Sequence, residues 1–257
     1  MAATGEPKMA ECGIERFIED TNRAKTSKDI ARLFGNALRN LGYDRFCYSR
    51  LTDHPSVGLR AGHGIAGNYP EGWMSHYQAH RYEKTDPVRL YGVGASRPYT
   101  WDSLLETRQL KPSEKKVMDE AKEARLFDGI AVPIRGPNGE LAGVGIASST
   151  GRIRLDRNLL GKVHALASQF HLAYTGLEKK DYAGPEKTCR LTGREKEILL
   201  WAAEGKSDSI IAEILGVSHS TIRFHMNNIF KKLDANERTF ATVKAIRQGL
   251  IVPSAVT

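Results

Sequence analysis

Residues 191–233 read LTGREKEILL WAAEGKSDSI IAEILGVSHS TIRFHMNNIF KKL. Short helices are written into this stretch by their ends. Thr192-Gly-Arg-Glu195 is a capping box: the threonine hydroxyl can accept the backbone N–H three residues on, and the glutamate can reach back to the threonine's own N–H. Ile198, Leu199, Ala202 and Ala203 then share one helix face, and Gly205 offers the left-handed residue that closes many helices. Ser207 caps a second helix whose apolar stripe is Ile210, Ile211, Ile214 and Leu215, closed by Gly216. Ser218 caps a third. There Ile222, Met226, Ile229 and Leu233 are spaced to face inward, while Ser220, Arg223, Asn227 and Lys231 face out.

Two apolar-striped helices joined by a short glycine turn define a helix-turn-helix, whose second helix enters the DNA major groove with its N-terminal half foremost. That puts Arg223 and Asn227 at base edges. Arginine can bond guanine O6 and N7 together, and asparagine can do the same for adenine N6 and N7. Ser218, Ser220 and Thr221 at the start of that helix complete the candidate interface, and Lys206, Lys231 and Lys232 are candidate phosphate contacts. Charge agrees with the docking. From Arg190 to Ile214 there are four basic and five acidic residues, whereas from Leu215 to the end there are six basic and two acidic. The basic side carries the third helix, as phosphate contact requires.

Going outward, 257 residues with 40% hydrophobic content suit one or two domains with a real core. No stretch of 18 apolar residues occurs and residues 1–9 are polar, so a cytoplasmic protein without a membrane segment is expected. Cys12, Cys47 and Cys189 are odd in number and far apart, which excludes a CxxC metal or redox site. The net charge of +8 is shared by both halves of the chain.

Residues 10–21 and 28–41 have helical periodicity, and Gly42 stops the second helix. Arg45 to Leu51 alternates as a strand, with Gly58 to Ala61 as its expected short partner. Tyr69-Pro-Glu-Gly-Trp73 opens a helix reaching about Tyr82, which must weaken at Thr85-Asp86-Pro87 because a residue before proline avoids the α region. A further helix is expected from Pro112 to Ala124. Phe127–Ile134 and Glu140–Ser148 are β-rich runs joined by Gly136-Pro-Asn-Gly139, a hairpin signal that predicts antiparallel pairing. A long helix from about Leu155 to Leu177 must cover the sheet or a second subunit. These elements predict an α+β sensor (1–178) with an antiparallel sheet between helical layers, an exposed linker (179–190) and an all-α four-helix helix-turn-helix domain (191–257).

The run from Leu191 to Leu199, with Ala-Glu-Gly-Lys-Ser (203–207), Ile-Ala-Glu-Ile-Leu (211–215), Ser-His-Ser-Thr-Ile-Arg-Phe-His (218–225), Asn-Ile-Phe-Lys-Lys-Leu (228–233) and Gly-Leu-Ile (249–251), closely resembles the DNA-binding domain of LuxR-type quorum-sensing regulators. Glu195, Leu199 and Gly205 match signature positions of that family. The N-terminal half resembles the same family's autoinducer-binding domain, a GAF/PAS-like fold: Tyr77, Asp86 and Trp101 follow Trp73 at four, thirteen and twenty-eight residues. The resemblance implies a receptor for an N-acyl-homoserine lactone, acting as a homodimer on double-stranded DNA with RNA polymerase as a further partner, and with no enzymatic activity, cofactor or metal.

An acyl-homoserine lactone presents one amide N–H, two carbonyls and an apolar body, and an unpaired buried polar group costs about 1–3 kcal/mol. By the resemblance, Asp86 accepts the amide N–H, Trp73 donates to the lactone carbonyl, Tyr69 donates to the acyl carbonyl, and Tyr77 and Trp101 supply walls; Pro87 and Gly129 complete the set. Family members often carry a small hydroxyl on the second hairpin strand. Here that position aligns with Ile146, flanked on its face by Val144 and Ser148, and these bulky side chains predict a short, branched or aromatic acyl group.

Two other readings remain at this point. A phosphorylation-gated regulator would share the C-terminal pattern but needs a receiver of parallel strands bearing a phosphorylatable aspartate, and here two helices come first. A receptor for some other small molecule fits the same residues. His76 and His80 stand i,i+4, but neither His54 nor His63 stands at a recognisable third-ligand spacing for a metal.

Overall fold

The computed structural model describes residues 11–52, 61–136, 140–151, 153, 158–181 and 190–253. They fall into two compact units, one drawn from residues 1–183 and one made chiefly of residues 184–257.

The first unit opens with α1 (Glu11–Arg23) and α2 (Ser27–Arg39). Thr26 caps α2 by accepting from the Asp29 N–H, and Gly42, at φ 92°, turns the chain into β1 (Arg45–Arg50). Next come β2 (Gly62–Gly67), α3 (Glu71–Ala79), a 3-10 turn (Tyr82–Lys84), α4 (Pro87–Gly94), β3 (Tyr99–Thr100), α5 (Trp101–Thr107), α6 (Pro112–Glu123), β4 (Asp128–Arg135), β5 (Leu141–Ser148) and α7 (Leu159–Asp181). The sheet has the order β2-β1-β5-β4-β3. Every pairing in it is antiparallel, so the parallel strands of a receiver are absent among the described residues.

The sheet separates two clusters because strand side chains alternate between faces. On one face Phe46, Tyr48, Ile130, Val132, Val144 and Ile146 pack with Phe34 of α2 and Val163, Leu166 and Phe170 of α7. Aromatic rings bind this layer, with Phe34 and Phe170 stacked at 4.6 Å between centroids. On the other face Ala147 lies among Trp73, Tyr77, Trp101, Val117 and Met118 from α3, α5 and α6.

Several expectations need correction here. The partner of β1 is β2 at Gly62–Gly67; of the expected Gly58–Ala61, residues 58–60 lie outside the described residues and Ala61 precedes the strand. The helix opened near Tyr69 ends at Ala79, and Arg81 then takes a left-handed φ of 52°, so the chain turns before Tyr82. Leu155 and the Asn138-Gly139 turn lie outside the described residues. The hairpin strands pair antiparallel as expected, from Asp128↔Ser148 to Arg135↔Leu141, and α7 continues to Asp181, past its expected end near Leu177.

The second unit holds α8 (Gly193–Ala203), α9 (Asp208–Ile214), α10 (His219–Leu233) and α11 (Arg238–Arg247). The capping box is formed: Thr192 N–H donates to Glu195 at 2.7 Å, and Glu195 N–H to the Thr192 hydroxyl at 3.2 Å. Ser207 and Ser218 cap α9 and α10. Gly205 and Gly216 take φ of 78° and 63°, where a Cβ would be strained. Ile222, Met226, Ile229 and Leu233 are buried against Ile198, Leu199 and Ile211. The stripe on α9 differs from expectation: Ile210 and Ile214 are 44% and 43% exposed, and Ile211 and Ala212 are the buried pair. A helix of two turns needs only a narrow contact, and the small Ala212 serves it. Arg238 bonds both Asp208 and the Lys206 carbonyl, tying α11 to the start of α9.

Candidate functional site

Trp73 and Tyr77 lie one turn apart on α3 and point together into the molecule, both buried. The Tyr77 hydroxyl donates to Asp86 Oδ2 at 2.8 Å. Asp86 is also the N-cap of α4, its Oδ1 accepting from the Val88 and Arg89 N–H groups at 2.9 and 3.3 Å, with Pro87 at the first helical position. The Asp-Pro step therefore starts a helix, as proline's fixed φ and missing donor suit. A carboxylate offers about four acceptor positions. Three are occupied by these bonds, which leaves one on a residue that borders a cavity.

That cavity has a volume of about 110 Å³. Asp86, Tyr69, Trp73, Tyr77, Trp101 and Arg89 border it, with Cys47, Ser49 and Gly145 on its sheet side. Burial raises the Asp86 pKa, against the Tyr77 and backbone bonds that favour its charge. Burial and the adjacent Asp86 raise the pKa of Tyr77, so its hydroxyl keeps its proton and donates. His63 stacks on Tyr77 at 4.2 Å between ring centroids, and its Nδ1 lies 3.1 Å from the Ser49 hydroxyl. Burial, assisted by the Arg89 charge, lowers the His63 pKa to about 4, so the ring is neutral at physiological pH. Burial pushes the Cys47 thiol up to about 11, an unreactive state.

Glycines make the space. An added Cβ at Gly129 would stand 2.1 Å from the Trp101 ring, and one at Gly145 would stand 3.0 Å from the Tyr69 hydroxyl. Gly129 thus supports the site by admitting Trp101 rather than by bordering the cavity.

The β5 expectations are corrected by one residue. Ile146 and Val144 belong to the core under α2 and α7, although Val144 also borders the cavity, and Ile146 does not line it. Ser148 is buried and bonds Thr150 locally. Gly143, Gly145 and Ala147 take the opposite face, since a shift of one residue exchanges the faces of a strand. Of the side chains expected to shorten the acyl tail, Val144 alone remains at the cavity. Of the polar wall, Ser49, His63 and Arg89 were missed. The alternation of Phe46 and Tyr48 with Cys47 and Ser49 could have shown the first, and Arg89 stands one helical turn beyond Asp86.

On α10, Arg223, Asn227 and Lys231 are exposed along the outer face, and Ser218 Oγ lies 2.7 Å from Ser220 Oγ and 2.8 Å from Thr221 Oγ1 at its start. The Lys206 side chain is partly buried. Lys232 has a second partner. Its ammonium donates to Glu195 at 2.7 Å, and Glu195 has only 3% of its side chain exposed, so this lysine neutralises the capping carboxylate. Burial opposes the charge on Glu195, but the Lys232 and Thr192 bonds prevail and its pKa is lowered. Elsewhere His76 is paired with Glu120 at 2.7 Å.

Residues 26–174 match the family model of the autoinducer binding domain, and residues 190–245 match that of bacterial regulatory proteins of the luxR family. The quorum-sensing regulator RhlR of Pseudomonas aeruginosa is 33% identical over 232 residues, covering 88% of this chain and 90% of that protein. Among solved structures, Escherichia coli SdiA superimposes with a TM-score of 0.68 at 26% identity, over 94% of this chain and 99% of that one. SdiA in complex with octanoyl-rac-glycerol gives 0.69 at 26% identity, over 96% and 98%. Among the described residues, no helix is long and apolar enough to cross a membrane.

Proposed function

Because the chain belongs to the LuxR family of autoinducer-binding transcriptional regulators, we propose that it senses an N-acyl-homoserine lactone in the cavity beneath α3 and α4 and binds a pseudo-palindromic operator as a dimer. The observation that carries the first part is the Asp86 carboxylate, which borders the cavity and is oriented by Tyr77 and the α4 backbone with one acceptor position left. Asp86 accepts the amide N–H, Trp73 donates to the lactone carbonyl, and Tyr69 to the acyl carbonyl. The buried Tyr69 hydroxyl has no hydrogen-bond partner among the described residues, which supports that assignment.

Arg223 and Asn227 read bases, Ser218, Ser220 and Thr221 sit at the groove edge, and Lys206 and Lys231 hold phosphate. Two recognition helices about 34 Å apart reach successive major grooves on one DNA face. The test uses purified protein. An acyl-homoserine lactone is expected to raise the melting temperature and operator affinity together, and Arg223→Ala to cost about 1–3 kcal/mol at one base pair. An unchanged operator preference in Arg223→Ala would mean a different docking. A second reading, a receptor for another acyl compound, is favoured by the SdiA complex with octanoyl-rac-glycerol; mass spectrometry of the molecule released on denaturing cell-expressed protein separates the two.

A further inference from the structure

The cavity wall holds a cation with an unmet buried donor. Arg89 follows the Asp86 cap on α4 and borders the cavity, and its Nη1 is buried with no hydrogen-bond partner among the described residues. The other wall groups beside it are neutral or already bonded. Ser49 Oγ accepts from the Gly64 N–H at 3.1 Å and meets His63 Nδ1 at the same distance. Tyr99 donates to the Val88 carbonyl, and Tyr77 to Asp86. Asp86, the one carboxylate bordering the cavity, has three of its acceptor positions taken by Tyr77 and the backbone, and the fourth is the one the function proposed above gives to the ligand amide. A guanidinium has five N–H donors in a planar fork and cannot shed its charge. Against a plain hydrocarbon tail its buried Nη1 would stay unpaired, which folded proteins avoid.

We propose that Arg89 determines ligand specificity by donating to an oxygen carried on the acyl chain, so that this receptor takes an acyl-homoserine lactone with a keto or hydroxyl substituent. The inference rests on the function proposed above and assigns the part of the ligand beyond its head group. The headgroup's amide N–H and two carbonyls are served by Asp86, Trp73 and Tyr69 in that reading, leaving Arg89 as the charged donor for the chain beside the neutral Trp101 indole N–H. A neutral oxygen fits better than a carboxylate: the Asp86 and Arg89 charges offset one another, and His63 adds none.

The experiment compares matched ligands on the full chain: hexanoyl-homoserine lactone against its 3-oxo, 3-hydroxy and 6-hydroxy forms, by direct binding and by ligand-induced melting shift. Wild-type protein is expected to bind at least one oxygenated form about tenfold or more tighter than the plain form, since a site built to bond a substituent rejects the analogue lacking it. In Arg89→Met, which keeps length and loses the donors, the forms should bind within about twofold of each other, with the plain form gaining. Arg89→Lys should fall between. Equal binding of all forms by the wild type overturns the assignment of Arg89 while leaving the receptor reading intact, and so does a preference that survives in Arg89→Met. If no lactone binds the wild type, both fail. Should Arg89→Met not fold, the wild-type series alone decides.

Discussion

The two units of this chain differ in the buried donors they leave unmet among the described residues. In the C-terminal unit, Thr192 and Glu195 cap α8, Ser207 and Ser218 cap the helices after it, Lys232 neutralises Glu195, and Lys244 covers the Leu233 and Asp234 carbonyls at the end of α10. In the sensor, Tyr69, Arg89 and Trp101 hold buried donors that no described group meets, and all three border one cavity. Each such group costs about 1–3 kcal/mol. In the function proposed above, the acceptors of a bound molecule would meet the donors at the cavity.

The strongest way to break this contrast is Asp86→Ala. It removes the α4 cap and the acceptor of a buried tyrosine hydroxyl, a loss of about 2–4 kcal/mol in the sensor. Calorimetry should show the sensor transition falling and no longer rising with lactone, and the C-terminal transition unmoved; a full wild-type ligand response would mean the pocket is wrongly assigned. Asp86→Asn should lose less, because its amide oxygen still accepts.

Next in size is Gly129→Ala, whose Cβ would displace Trp101, for about 1–3 kcal/mol. A shifted Trp emission and a weakened lactone response should accompany it, and a variant with wild-type values would contradict the packing described.

Titration sharpens the comparison. With its folded pKa raised above the ordinary 3.8, Asp86 stabilises the unliganded sensor only at low pH, and that stability is lost as pH rises through the raised value. The ligand N–H prefers the charged carboxylate, so lactone affinity should rise over the same window, by no more than about tenfold per pH unit. Binding measured from pH 4 upward should show this in wild type and a flatter profile in Asp86→Asn. The smallest effect belongs to Ser218→Ala: about 1 kcal/mol from the C-terminal unit, with the sensor's ligand response intact.

The same contrast explains what the sequence discloses. Caps are local, so Thr192, Glu195, Ser207 and Ser218 could be read directly, and on the long α10 four apolar positions at helical spacing leave one inward face. Short elements carry less information: α9 presents Ile210 and Ile214 to solvent, and β2, with Gly62, Gly64 and Gly67, has little apolar alternation to mark it. The largest miss, the face of β5, arises because Ala142, Val144, Ile146 and Ser148 and their neighbours Gly143, Gly145 and Ala147 are both plausible inner rows. Only the bulk of α7 on one side decides which row fills a core and which yields a cavity. Arg89 was hidden for a related reason, since a charge on a short helix reads as solvent-facing until α3 and the sheet enclose it.

The glycines of β5 also bear on how such a receptor changes over generations. At Gly143 a methyl group would meet the Val132 carbonyl at an ordinary 3.7 Å, while at Gly145 it would press on the Tyr69 hydroxyl. A single-base change from glycine to alanine could therefore trim the chamber at the first position, or retune a polar contact at the second, without touching Ile146 on the reverse side. Descendants can drift toward new signals while inheriting the same scaffold.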